Sequence, residues 1–314
     1  MHLATFAVDA PTGAIERIGV RHDDSLLDLT AGYATLLAEE GRTRPVEAAR
    51  SLVPPNMLEF LRNGSEAMNA AREVAEAGDA LLGRAAPDGA ATSYDVESVD
   101  LRAPLPRPNT IRDFSVFEEH GREKPDEWYE LPAYYKGNPD SVVAPGADVE
   151  WPSYTNRLDF ELELAAVVGR ECRNTAAGNP EPYLAGYTVF NDFSARDIQM
   201  EEMTMGLGPG KGKDFANGFG PYLVTTDSFD PTDAEMLARV NGEEWAEGNA
   251  GEAYHSIGDM LAHASMDQTV HPGDVLGTGT VGGGCGADLD RWIERGDRIE
   301  LEIEGIGVLE HRVV

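Results

Sequence analysis

The sequence predicts a mainly β fold with α+β elements, and three observations carry that expectation. Beyond residue 100 the chain runs in short apolar stretches closed by Gly, Pro, Asn or Asp, at 163–168, 186–191, 222–225, 236–240, 275–278 and 299–303. Helical patterns are few there, at about 194–205 and 254–265. The first hundred residues instead mix strand-like segments with Ala-rich helical ones. The stretch RAPLPRPN at 102–109 carries three prolines between the two parts. The expected organisation is a small α+β domain over 1–100 and a larger β-rich domain over 101–314.

In chain order, residues 3–8, 15–20 and 25–29 read as strands, with Gly13 in the first turn, and a helix follows at about 32–40. Residues 44–62 and 65–83 read as amphipathic surface helices, broken by Pro54-Pro55 and Gly64. No catalytic constellation stands out in this part, which reads as a support for the rest. In LDFELELAAVVG, at 158–169, Phe160, Leu162 and Leu164 alternate with Glu161 and Glu163. Residues two apart in a strand share a face, so both glutamates point one way. Two like charges on one face repel, and a cation between them would relieve this. The competing reading is a half-exposed edge strand with a solvated acidic face.

At 314 residues and 41% apolar content the chain has ample material for a core, and its formal net charge is −31. That charge opposes partnership with nucleic acid or an anionic membrane, because phosphates are repelled. The acidity is spread along the chain and coexists with apolar runs, unlike a disordered acidic tail. Lysine occurs only at Lys124, Lys136, Lys211 and Lys213. Such a composition suits a salt-adapted cytoplasmic protein, with an ordinary acidic protein as the alternative. Cys172 and Cys285 are far apart and in no metal-type spacing, so a disulfide framework is not expected. The N-terminal MHLATFAVDA has no basic leader, and no run approaches the roughly 18 apolar residues of a membrane span.

Four stretches carry candidate chemistry. In IRDFSVFEEHGRE, at 111–123, Asp113 follows a short strand, and His120 and Glu123 stand one helical turn apart. A carboxylate touching an imidazole fixes its tautomer, which suits a general base acting on water; a plain surface histidine is the alternative. In NDFSARDIQ, at 191–199, Asp192 ends a strand, Ser194 is placed to cap a helix, and Arg196 and Gln199 share a helical face. In LGPGKGKDF, at 207–215, glycines flank two of the four lysines. A compact ammonium there can meet an anion, whereas the phosphate-loop spacing is absent. In GTGTVGGGCG, at 277–286, backbone amides are available to a carboxylate. Gly277, Gly279 and Gly282 also trace GxGxxG, but no βαβ pattern surrounds them. Cys285 lies among glycines with no base nearby in sequence, a poor nucleophile. Asp113, Glu161, Glu163 and Asp192 together form an all-oxygen set of the kind that hard divalent cations such as Mg²⁺, Mn²⁺ or Ca²⁺ prefer.

These residues, with LPAYYKG at 131–137, GKDF at 212–215, VNG at 240–242, GD at 273–274, GTGT at 277–280, GD at 296–297 and GIG at 305–307, give a chain that resembles the fumarylacetoacetate hydrolase family over roughly 104–314. The resemblance implies a mixed β-sandwich roll behind a variable N-terminal domain, usually in a homodimer. It implies Mg²⁺ or a similar ion on Glu161, Glu163 and Asp192, with Asp113 near or on it, and His120 as general base. The partner of His120 matches Glu123 in the acylpyruvase branch; in the fumarylacetoacetase branch it is a later carboxylate, Asp290 as the nearest match and Asp288 as the next. Arg196, Gln199 and Lys213 match positions that hold substrate and steady a departing carbanion, and Tyr135 and Thr280 match substrate contacts. Ser115 replaces a substrate-contacting tyrosine, and VGGGCG after Thr280 departs from the usual loop, which turns expectation away from fumarylacetoacetate itself.

The implied reaction is metal-dependent hydrolysis of a carbon–carbon bond in a 2-oxo or 1,3-dioxo acid. The same apparatus suits decarboxylation of a 3-oxo acid such as oxaloacetate, or hydration or dehydration of a 2-keto-3-deoxy sugar acid. A non-catalytic metabolite-binding protein is the reading from another class, and the retention of both His120 and Glu123 speaks against it.

Overall fold

A computed structural model describes residues 1–11, 13–121 and 123–314. Two sheets form the body. The larger has twelve strands, and its main path runs in space through Ser93–Asp95, Ser25–Asp28, Ile15–His22, His2–Val8, Asn217–Thr225, Leu184–Asp192, Leu162–Val168, Asp274–Gly277, Thr110–Phe114 and Tyr134–Gly137. The smaller has five strands, in the order Glu243–Asn249, Glu235–Val240, Arg298–Ile303, Gly307–Val313 and Asp148–Val149. Tyr187, Val189 and Phe193 meet Met236, Ala238, Leu301 and Leu309 in one apolar core, so the sheets pack as a sandwich.

The other face of the large sheet is also covered. Ala165, Val167, Leu223 and Val275 pack with Leu3, Ile18, Phe60, Leu61 and Val74 from the N-terminal strands and helices. Leu162–Val168 is therefore buried at every residue, which explains its unbroken LAAVV run. The solvated edge strand considered for this stretch does not form. Strand His2–Val8 pairs with Asn217–Thr225, placing Leu3 opposite Leu223, and also with Asp100–Arg102. Backbone hydrogen bonds thus cross the expected boundary at residue 101.

The N-terminal helices follow their sequence signals. Asp28 accepts the Ala31 amide at 2.7 Å and starts the helix Leu29–Glu39 earlier than expected. Pro45–Leu52 and Met57–Arg62 flank Pro54-Pro55, and Gly64–Ala77 follows. No described helix is long and apolar enough to cross a membrane.

Three local expectations are corrected. The 158–164 alternation is not one strand: Leu158–Asp159 pairs with Ser194–Ala195, and the large sheet resumes only at Leu162. Ser194 is no helix cap; its hydroxyl donates to the Asp192 carbonyl at 3.1 Å, and Arg196–Thr204 begins after Ala195. His120 lies among turns and bends, with Gly121 at φ +77°, so the helical face imagined for His120 and Glu123 does not exist.

Among the described residues only seven acidic side chains are buried, Asp28, Asp113, Asp159, Glu161, Glu163, Asp192 and Asp274, so the −31 charge is carried chiefly by carboxylates nearer to solvent. Their mutual repulsion is long-ranged in dilute buffer and short-ranged in concentrated salt. Thermal unfolding is therefore expected several degrees higher in molar KCl than in dilute buffer. A transition that does not move with KCl would remove the case for salt adaptation.

Candidate active site

Three strands of the large sheet, two adjacent and the third one strand further along, deliver three carboxylates to one point. Leu162–Val168 runs antiparallel to Leu184–Asp192, with Glu163 opposite Phe190, and Asp113 lies beside Gly277 in the parallel pair to the other side. Asp113, Glu163 and Asp192 are all buried and present oxygens within 4.8 Å of one another. Gly277 is required for this approach, because a Cβ there would stand 2.5 Å from Asp113 Oδ1. The Gly-rich stretch does supply amides to carboxylates, but to the protein's own: Gly279 N–H donates to Glu163 at 3.0 Å, and Gly286 and Ala287 to Asp159 at 2.8 and 3.0 Å.

Glu161, the fourth expected ligand, stands just outside this triad. Lys213 is buried and makes short ion pairs with both Glu161 and Asp192. Arg196 Nη1 lies 2.7 Å from Glu161, while Asp159 holds the same guanidinium from behind through Nε at 2.8 Å and Nη2 at 2.7 Å. Asp159 escaped the sequence reading, although it continues the odd-numbered series of Glu161 and Glu163 by one step.

Five buried carboxylates, Asp113, Asp159, Glu161, Glu163 and Asp192, thus face two buried cations, Arg196 and Lys213. Burial disfavours the charged form of Glu161, but Arg196 and Lys213 overcome it and hold the carboxyl well below the usual range. Burial raises Asp113 and Glu163 well above the ordinary carboxylate range, and the charge of Asp192 adds to the rise in both. Asp192 itself is pushed up to about 6, by burial against the opposing pull of Lys213. Among the described residues, Asp113 Oδ1 and Asp192 Oδ1 are buried with no hydrogen-bond partner. Orphaned oxygens on carboxyls that repel one another too strongly to ionise together fit a hard cation. Asp113, Glu163 and Asp192 would hold it, with Glu161 adjacent.

Asp113 and Glu163 of the triad open on a cavity of about 360 Å³ lined by Ser115, His120, Tyr135, Gln199, Lys213 and Thr280 among others. Three larger concavities, of about 680, 640 and 460 Å³, do not include this triad. Tyr135 donates its hydroxyl to Asp192 at 2.7 Å, Gln199 accepts from Arg196 at 3.1 Å, and Thr280 stands 3.4 Å from Glu163. All four lysines gather in this region: Lys136 and Lys211 line a neighbouring cavity with Lys213, and Lys124 donates to the His120 carbonyl at 2.6 Å.

His120 enters the cavity from its loop. Its Nδ1 lies 2.8 Å from Asp288, and its Nε2 points back to Glu161 at 3.8 Å. Burial works against the charge on Asp288, yet the hydrogen bond and charge of His120, with the Gly121 amide, keep its carboxyl below the usual range. The structure therefore pairs His120 with neither Glu123 nor Asp290. Glu123 is exposed in the following loop, and Asp290 is exposed in a left-handed conformation, φ 51°, just past the short helix that carries Asp288. Cys285 is also corrected: a base does stand near it, with His120 Nδ1 at 4.0 Å, although burial raises its thiol and keeps it neutral.

Comparison with known proteins places this geometry. Residues 109–314 match the family model described as fumarylacetoacetate (FAA) hydrolase C-terminal. The chain is 31% identical over 265 residues to the human mitochondrial oxaloacetate tautomerase FAHD2A, covering 83% of this chain and 81% of that one. It superposes on the fumarylacetoacetate hydrolase of the psychrophile Exiguobacterium antarcticum with a TM-score of 0.73 at 26% identity, over 99% of each chain. It superposes on the maleylpyruvate hydrolase of Sphingobium sp. SYK-6, solved with manganese(II) and pyruvate, with a TM-score of 0.71 at 26% identity, over 100% of this chain and 99% of that one.

The electrostatics predict how the site responds to metal. Adding Mn²⁺ to metal-free protein should raise its melting temperature and release protons, because Asp113 and Glu163 must ionise to bind. Apparent affinity should accordingly strengthen with rising pH. Glu163→Gln should abolish the Mn²⁺-dependent shift while making the metal-free protein more stable at neutral pH, by about 1 kcal/mol, since it removes a buried carboxyl that folding keeps from ionising. Scanning calorimetry with and without Mn²⁺ checks both; a variant that is less stable and still shifted by Mn²⁺ would contradict them.

Proposed function

The chain belongs to the fumarylacetoacetate hydrolase family, and from that premise we propose that it hydrolyses a carbon–carbon bond in an acylpyruvate-type 1,3-dioxo acid with a divalent cation as cofactor. The supporting observation is the placing of His120, fixed by Asp288 on one side and facing the carboxylate cluster on the other. Mg²⁺ or Mn²⁺ fits the all-oxygen donors, and a structural relative holds manganese(II) with pyruvate. The proposal carries with it a salt-adapted, cytoplasmic homodimer as the working form.

When bound, the cation would supply Lewis acidity to the oxygens of the substrate. The chain's own residues do the rest. Because Asp288 accepts the Nδ1 proton, the neutral imidazole presents Nε2 as a base. Nε2 takes a proton from water, and the resulting hydroxide adds to the distal carbonyl carbon. Collapse of that adduct breaks the C–C bond, and its electron pair goes to the enolate of the 2-oxo acid fragment. The imidazolium then protonates the enolate carbon, giving a 2-oxo acid and a carboxylic acid. Lys213 and Arg196 hold Glu161 in place, and Lys213 sits where negative charge develops. Gln199, Tyr135, Thr280 and Ser115 line the space for the substrate.

A second reading is supported by the relative named oxaloacetate tautomerase, which matches well beyond the region of the family model. Under it, His120 Nε2 moves the C3 proton of a 2-oxo acid, no water is consumed and the C–C bond stays intact. Turnover of acylpyruvates, oxaloacetate and 2-keto-3-deoxy acids, with Mg²⁺ or Mn²⁺ in high salt, separates the readings. Cleavage products from an acylpyruvate support hydrolysis. Keto–enol interconversion of oxaloacetate without cleavage of any substrate in the panel overturns it.

His120→Ala should lower kcat by about 10²–10⁴-fold while leaving Mn²⁺ binding intact. Asp288→Asn should come close to that loss, whereas Glu123→Gln and Asp290→Asn should leave turnover near wild type. The opposite ranking, with Glu123→Gln severe and Asp288→Asn mild, would refute the dyad.

A further inference from the structure

We propose that His120, Cys285 and Asp288 form a second metal site, distinct in chemistry from the carboxylate triad, which takes Zn²⁺ and thereby switches the enzyme off. One donor atom from each residue lies within 4.8 Å of the other two. Two of the three pairwise distances are 2.8 Å, from His120 Nδ1 to Asp288, and 4.0 Å, from Nδ1 to Cys285 Sγ. Tetrahedral zinc, with Zn–N near 2.0 Å and Zn–S near 2.3 Å, needs N···O and N···S separations of about 3.3 and 3.6 Å. Small rotations of His120 and Asp288, whose side chains are 22% and 15% exposed, bridge the difference. Three protein ligands with water in the fourth position is a common arrangement for zinc.

The donors also select the ion. A thiol, an imidazole and one carboxylate suit zinc, whereas the all-oxygen triad suits Mg²⁺ or Mn²⁺. Three carboxylates, Asp159, Glu161 and Asp288, stand near Cys285 alongside the guanidinium of Arg196, which exerts the largest single charge effect on the thiol. Cys285 has no part in the chemistry proposed above, so the thiol is free for this use.

The inhibition, unlike the binding, rests on His120 as the base. Zinc enters at Nδ1, the nitrogen that carries the proton in the active dyad. That proton moves to Nε2, and the Cys285 thiol proton leaves to solvent as the Zn–S bond forms. Nε2 then has a proton and no lone pair for water. Asp288, drawn to zinc, no longer orients the ring.

Cobalt(II) is the spectroscopic probe. Added to the Mg²⁺-loaded enzyme, Co²⁺ should produce a near-ultraviolet thiolate-to-cobalt charge-transfer band. The band should persist in Glu163→Gln, which cripples the carboxylate site, and vanish in Cys285→Ser and Cys285→Ala. Zinc at one equivalent should lower kcat of the Mg²⁺ enzyme by roughly 10²-fold, the contribution of a positioned base, and leave the turnover of Cys285→Ser unchanged. A wild-type protein without the band overturns the site. A band in the wild type together with zinc-insensitive turnover supports the site and overturns the role of His120 on which the inhibition depends.

Discussion

Burial of like charge at the meeting of Asp113, Glu163 and Asp192 is the constraint on which the rest of this structure depends. Two unit charges 4.8 Å apart repel by about 3 kcal/mol at an effective dielectric near 20. Three such pairs approach the roughly 5–15 kcal/mol that holds a typical protein folded. The triad therefore cannot be fully ionised without compensation, and the elevated Asp113 and Glu163 carboxyls express that limit. The sheet tolerates it because both faces of Leu162–Val168 are packed, so the apolar core fixes the backbone that carries the strained charges.

The protein's own cations pair with the flank of the cluster and with one triad member, Asp192. Arg196 is shared by Asp159 and Glu161, and Lys213 by Glu161 and Asp192. Both are committed to fixed partners, and neither forms an ion pair with Asp113 or Glu163. This division separates two tasks within one cavity. The flank holds Glu161 rigidly opposite His120, and the triad is left to an ion from solution. The Asp288 contact then sets which imidazole nitrogen faces the cavity, which links metal and base into one unit.

Much of this was legible in the sequence where the signal is local. Alternation singles out Glu161 and Glu163, although a break before Leu162 keeps them off one strand face, and strand ends locate Asp113 and Asp192. The scarcity of lysine pointed at Lys213, and the structure gathers all four lysines around the site. The His120 partner was less legible, because the contact with Asp288 spans 168 positions and depends on how two loops meet. The three-residue spacing to Glu123 misled, since such spacing has meaning only on a helix, and His120 sits in turns. The nearness of Cys285 to a base is likewise a property of the loops, not of the residues beside it. The edge-strand alternative failed because the sequence does not show that N-terminal helices cover the second face.

The most direct test of this account is anomalous diffraction at the manganese edge from crystals grown with Mn²⁺. The account predicts a strong peak bounded by the carboxylates of Asp113, Glu163 and Asp192, with Glu161 adjacent, and its loss in Glu163→Gln. A well-ordered cavity with no peak, or manganese bound only at surface carboxylates, would contradict the claim that these buried charges exist to hold a divalent ion.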